Sequence, residues 1–281
     1  MTTLAARVFV IGAGKAGRAL AHAMRVGGID VAGLHGRQPA EGTTWGDWPA
    51  SLSRATVVLI TVRDAELDGV LRDLLSAPLA AGAVVLHASG TAEPPALDQL
   101  RARGHTGGTF HPLLPLTDPT RATEQLRRAW IGIDGDEGAR AVSRELAAAI
   151  GARALEIPAG GKARYHAAAV MASNFPIVLL AMATRVLTEA GVSGEAARSA
   201  AGTLMIAAME NARAVDPSAA LTGPVARGDV ETVRAHLEAL ANTPEVLEVY
   251  RVLSREAIPL AESAGADRTK LEELGRVLKE R

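Results

Sequence analysis

Between a run of five β-prone residues, Arg7–Ile11 (RVFVI), and an amphipathic stretch, Lys15–Val26, stand Gly12, Gly14 and Gly17 in an unbroken G-x-G-x-x-G. No other feature constrains the fold so tightly. A strand that passes through such a turn straight into a helix is the first joint of a dinucleotide-binding βαβ unit. Gly12 permits the tight turn, Gly14 lets a pyrophosphate approach the backbone, and Gly17 lets the helix pack closely on the strand. The backbone around Ala13, Lys15 and Ala16 then offers its free N–H groups to the phosphates. The competing reading is a glycine-rich turn that holds no ligand.

The pattern that follows agrees with such a unit. Residues 31–35, 56–62 (TVVLITV) and 83–88 read as strands, and residues 65–75 and 95–103 as helices with apolar positions every three or four. Further short strands are expected around Thr109 and over 130–133, with a helix over 137–150 ended by Gly151. Strands this uniformly apolar are covered on both faces, which predicts an α/β fold with a doubly wound, mostly parallel Rossmann sheet over residues 1–158. After Ala159-Gly160-Gly161 strand signals nearly vanish, and an all-α domain is expected over 159–281. Its five or six helices would break at Gly191, Asp216-Pro217, Gly223-Pro224, Thr243-Pro244 and Gly265, with Pro176 kinking the first. A chain of 281 residues suits two such domains.

Composition narrows the partners. The 30 basic and 31 acidic residues nearly cancel, to a net charge of -1, and no basic run offers a footprint for nucleic acid. The absence of cysteine excludes disulfides, thiolate metal sites and a cysteine nucleophile, and no metal site is expected. The first apolar run leads into the glycine turn rather than to a cleavage site, so a cytoplasmic location is expected. The longest apolar stretch, 167–183, is shorter than the roughly 20 residues a bilayer requires and contains Ser173, Asn174 and Pro176. It reads as a buried helix, and no membrane partner is expected.

The identity of the dinucleotide depends on the end of the second strand. An NAD-binding domain places Asp or Glu there to hold the ribose 2′-hydroxyl. Here the sequence is Gly33-Leu34-His35-Gly36-Arg37, with no carboxylate, and Arg37 is able to contact a 2′-phosphate. NADP(H) is therefore expected, with His35 and Arg37 at the adenosine end; the competing reading of Arg37 is a solvated surface arginine. Three loops after later strands are candidate walls: Thr61-Val62-Arg63-Asp64, His87-Ala88-Ser89-Gly90 and Phe110-His111-Pro112. Val62, Arg63 and Ser89 are assigned to the cofactor and His111 to the substrate. Asp64 is better explained as a helix cap, His87 as a hydrogen-bonded core residue, and His111 equally well as structural.

In the second domain, Lys162 and His166 share a helix face, and Ser173 returns to it with Asn174 alongside. A polar row on an apolar helix suits a substrate cleft between the domains. Reduction of a C=O or C=N bond needs a proton donor, so Lys162, His166 and Asn174 are the expected catalytic residues and Ser173 a substrate contact. The alternative is that Lys162 and Arg164 are solvated and His166 merely packs. The segment 221–229 (LTGPVARGD) is either a loop leading to a helix capped by Asp229 or a binding element that brings Thr222 or Arg227 to an anionic substrate.

The motifs GAGKAG at 12–17, GLHGR at 33–37, HASG at 87–90, FHPLLPL at 110–116, KARYHAAAVMASNF at 162–175 and LTGPVARGD at 221–229 together resemble a bacterial family. Its members are Rossmann-like NADP-dependent oxidoreductases with a C-terminal domain of unknown function, and it is similar to the 6-phosphogluconate dehydrogenase-like superfamily. The resemblance implies a helical C-terminal domain that forms a homodimer, and it does not give a substrate. In hydroxyacid dehydrogenases and ketopantoate reductases the equivalent helix carries Lys followed four positions later by Asn; here His166 follows Lys162. The expected function is reduction of a small, anionic carbonyl or imine compound in the interdomain cleft. The alternative is a non-catalytic NADP(H)-binding sensor.

Overall fold

The computed structural model describes residues 6–93, 95–116 and 119–280. In chain order the elements are β1 (Arg7–Ile11), α1 (Lys15–Val26), β2 (Asp30–His35), β3 (Val57–Ile60), α2 (Asp64–Leu74), β4 (Val84–His87), α3 (Pro95–Ala102), β5 (Thr106–Pro112), α4 (Pro119–Leu126), β6 (Trp130–Gly135), α5 (Glu137–Ala149) and β7 (Arg153–Glu156). Helices follow: α6 (Lys162–Glu189), α7 (Gly194–Ala214), α8 (Pro217–Ala220), α9 (Val230–Ala239), α10 (Pro244–Ser263) and α11 (Arg268–Val277).

The strands form one seven-stranded sheet in the order β2-β1-β3-β4-β5-β6-β7. All pairs are parallel except β5 with β6, which run antiparallel. Alternation along β1 divides the core. Val8 and Val10 pack with Leu20 and Met24 of α1, Leu126 of α4 and Leu146 of α5. Phe9 and Ile11 pack on the opposite face with Leu67 and Leu71 of α2 and Leu97 and Leu100 of α3. Each fully buried Leu or Met contributes about 1.5–3 kcal/mol of transfer free energy, so both faces must be covered for the sheet to persist. Because α1 and α2 cover opposite faces, the strand order reverses between β1 and β3, and a crevice opens at their carboxyl ends.

Two compact units are present, the first extending to Ser173 and the second starting at Asn174, so the division falls inside α6. The second unit has its own core, in which Val233, Ala261, Leu271 and Leu274 are buried. Helix α6 continues through Pro176. The expectation that it is buried is not met: no residue of its most apolar 18-residue window is fully buried, and Met171, Phe175 and Ile177 are exposed. An apolar helix only partly covered in this way lacks some of the partner surface that its composition requires.

Candidate active site

The glycine turn takes the shape its sequence demands. Gly12 has φ 111°, in the left-handed region, and donates its N–H to the His35 carbonyl at 2.8 Å, while Thr61 Oγ1 donates to the Gly12 carbonyl at 2.9 Å. A Cβ on Gly17 would lie 1.8 Å from the Gly12 oxygen, so helix α1 can sit on the turn only with glycine there. Gly14, by contrast, faces open space and is the N-cap of α1 with no side-chain cap, leaving the first N–H groups for a ligand. The turn opens on a cleft of about 1080 Å³, walled by Ala13, His35, Arg37, Val62, Arg63 and Glu66, among others.

His35 is a wall rather than a probe. Its Nδ1 lies 2.9 Å from Thr44 Oγ1, its ring packs on Trp48 at 4.9 Å, and burial pulls its pKa below the ordinary value. Arg37 and Arg63 are exposed, and both donate to Oε1 of Glu66, at 2.7 and 2.5 Å. Lys15 is exposed at the start of α1, and Ala16 follows it in the first turn. Ser89 turns inward: its hydroxyl accepts from the N–H groups of Thr91 and Ala92 and so shapes the loop after β4. The expectation that Asp64 caps α2 is corrected. Arg63 is the N-cap position, and Asp64 instead accepts from Thr91 Oγ1 at 3.0 Å.

Register aligns Ile11, Ile60, His87 and Thr109 in one row across the parallel strands, so the loops after β1, β3, β4 and β5 share an edge. At the β4–β5 end of this row a second cluster forms. His111 Nδ1 and Tyr165 Oη are 2.7 Å apart. A Cβ on Gly90 would lie 2.7 Å from His166 Nδ1 and 3.0 Å from His111 Nε2, so the absence of a side chain at Gly90 is what lets two imidazoles converge. His166 Nδ1 is buried without a hydrogen-bond partner among the described residues. Burial, with the neighbouring His166 adding to it, lowers the His111 pKa to about 4, and burial raises that of Tyr165 to about 12. Near neutrality His111 is therefore neutral and Tyr165 protonated. A protonated phenol is able to donate to a neutral Nδ1, an arrangement that leaves the His111 proton on Nε2, beside Gly90.

Lys162 has a different place from that expected of a proton donor. It is 3% exposed, donates to the Ala92 carbonyl at 2.6 Å and to Thr109 Oγ1 at 2.8 Å, and lies 3.6 Å from the Asp134 carboxylate. Burial lowers its pKa, with Asp134 opposing. Its protons are committed to holding the loop after β4 against β5. His87 beneath it is a core residue, 2% exposed, with burial pushing its pKa down to about 3. Ser173 donates to the Ala169 carbonyl at 2.7 Å within its own helix. Asn174 and Thr222 belong to the second unit and are exposed there. Asp229 caps α9, accepting from the Thr232 N–H at 3.1 Å, as expected. Tyr165, Gly90 and Glu66 had no assigned role in the sequence; the Arg63–Glu66 spacing of three at the start of α2 was the available signal for the last.

Residues 129–257 match a family described as a domain of unknown function, DUF2520. The matched region starts just before β6 and includes Tyr165 and His166, so it takes in the last two strands of the sheet as well as helices. No curated protein matches the chain. Among solved structures, a Thermotoga maritima protein is similar at TM-score 0.72 and 22% identity, covering 91% of this chain and 98% of its own. A Bacteroides fragilis protein provisionally designated an NADP oxidoreductase gives 0.68 at 19% identity, over 90% and 98%. A Plasmodium falciparum pyrroline carboxylate reductase with NADP bound gives 0.57 at 12% identity, over 98% and 99%. These likenesses establish that the chain has the fold these proteins share.

Proposed function

We propose that the protein is an NADP(H)-dependent reductase of a small, anionic carbonyl or imine compound. The observation that carries this reading is the shared sheet edge. The glycine turn lies at β1, Arg37 follows the neighbouring strand β2 on one side, and the His111–Tyr165–His166 cluster lies three strands to the other. At roughly 4.8 Å per strand the last separation is about 14 Å, which suits a dinucleotide whose pyrophosphate sits on the turn. The designation of the Bacteroides protein and the NADP held by the Plasmodium reductase support the same cofactor.

When bound, NADPH would supply the hydride. The chain's own residues do the rest. Gly12, Gly14 and the first N–H groups of α1 hold the pyrophosphate, and Arg37 and Arg63 select the phosphorylated ribose. His111 offers Nε2–H to orient the substrate heteroatom, with Tyr165 fixing that tautomer. His166 provides the proton, its unpartnered Nδ1 being satisfied when a polar group arrives. Lys162 keeps the Gly90 loop in position. The test is NADPH oxidation with a panel of small 2-oxo acids and cyclic imines. Turnover that falls in His166→Ala with NADPH affinity retained supports the reading; tight binding with no turnover on any substrate overturns it in favour of a sensor.

We also propose that the bare helices are covered by a second copy of the chain, giving a soluble cytoplasmic homodimer. Residues 165–184 of α6 and 199–209 of α7 carry no charged side chain, and Leu204, Ile206 and Met209 are 73%, 62% and 57% exposed. Surfaces without charge offer nothing to an acidic or basic partner and suit their own copies.

A further inference from the structure

We propose that Glu66 is a built-in competitor for the 2′-phosphate of the dinucleotide and sets how strongly the site discriminates NADP(H) from NAD(H). This rests on the NADP(H) reading above. A single oxygen of Glu66 gathers two guanidinium groups from different loops, Arg37 from beyond β2 and Arg63 from beyond β3. All three side chains wall the cleft onto which Gly12 and Gly14 open.

The exposures differ in a telling way. The arginine side chains are 79% and 77% exposed, the Glu66 side chain 25%. Ion pairs this exposed contribute little net free energy, so another anion can take the guanidiniums at small cost. Two cations and one carboxylate leave a net charge of +1. A phosphate monoester carries about −1.5 to −2 near neutrality and three acceptor oxygens, enough to engage both guanidiniums in forked geometry. It must displace Glu66 to do so, and the displaced carboxylate then opposes it as a like charge. The hydrogen bond from Arg63 holds the Glu66 carboxyl below the usual range, so the competitor is ionised wherever the phosphate is. A 2′-hydroxyl displaces nothing and finds in Glu66 a ready acceptor. Glu66 therefore weakens the phosphorylated cofactor selectively.

The experiment measures binding of 2′,5′-ADP and 5′-AMP to the full chain by calorimetry, for the parent protein, Glu66→Gln and Glu66→Gln with Arg63→Ala. Glu66→Gln is expected to tighten 2′,5′-ADP at least about fivefold relative to 5′-AMP, and the added Arg63→Ala to remove most of that gain. A 2′,5′-ADP to 5′-AMP ratio that is unchanged or lower in Glu66→Gln overturns the inference. A parent protein with no preference for 2′,5′-ADP overturns the NADP(H) reading instead, and a preference that appears only in Glu66→Gln would sustain the competitor role alone.

Discussion

Tyr165 Oη and His111 Nδ1 stand 2.7 Å apart, tying the first turns of α6 to the end of β5. Removing the phenolic oxygen should free the imidazole to take either tautomer. Tyr165→Phe is expected to lower kcat about 10–100-fold with the Kd for NADPH unchanged, read by steady-state kinetics and fluorescence titration. Unchanged kcat would show that the tautomer is set by something else.

Two histidines make folding sensitive to acid. His87 and His111 titrate near 3 and 4 in the folded chain and near 6.5 when unfolded. The unfolded state therefore binds more protons between those values, and stability rises with pH across that window. The contribution is fully present above about pH 6.5 and is lost as the pH falls toward 4 and then 3, on the order of 3 kcal/mol for His111 and about 5 for His87. Denaturant unfolding at pH 7, 6, 5 and 4, titration points that span this window, should show the decline, and His111→Asn should flatten it.

The glycines of the turn should separate fold from binding. Gly17→Ala places a methyl group against the Gly12 carbonyl and is expected to cost about 3 kcal/mol or more, or to prevent folding. Gly14→Ala meets open space at φ -75° and should leave the unfolding midpoint nearly unchanged while weakening dinucleotide binding. Equal losses of stability in the two variants would contradict this division.

Lys162 should behave as a tie. Lys162→Ala leaves the Ala92 carbonyl, Thr109 and Asp134 without their shared donor, and a loss of about 3–5 kcal/mol is expected in urea unfolding. Lys162→Met, which keeps the volume, should lose less stability. If folded Lys162→Met lost all turnover while NADPH binding was intact, Lys162 would itself be the proton donor.

The bare helices give an assembly prediction. Ile206→Asp is expected to convert a dimer into a monomer with little change in the monomer's helix content, read by sedimentation velocity and circular dichroism. A parent protein that sediments as a monomer at micromolar concentration would remove the dimer proposal.

Elements whose signals are local were legible from the residues. Arg7–Ile11, the glycine turn and Lys15–Val26 follow one another with no long-range information required. β7 was not, because Arg153–Glu156 (RALE) is an edge strand with no buried position of its own, and pairing with β6 alone defines it. The antiparallel β5–β6 pair was equally hidden, since direction belongs to the pairing and not to either strand. The same holds at the site. Arg37 was found from its offset to the glycines, but Glu66 is 29 residues from it and His111 is 54 from Tyr165, and only the fold brings these pairs together. The exposure of α6 ran against its composition because that composition reports the need for a partner, not whose chain supplies it.

The glycine turn has a consequence for how a lineage of such proteins changes its chemistry. Gly12 and Gly17 are locked against each other, and nothing on them can read what they hold. On the proposed reading, choice between cofactors would lie with Arg37 and Arg63, exposed at the rim, and with the half-buried Glu66 that they share. The grip and the taste of such a site would thus be separable, and a substitution at the rim could change cofactor preference while the turn beneath stays as it is.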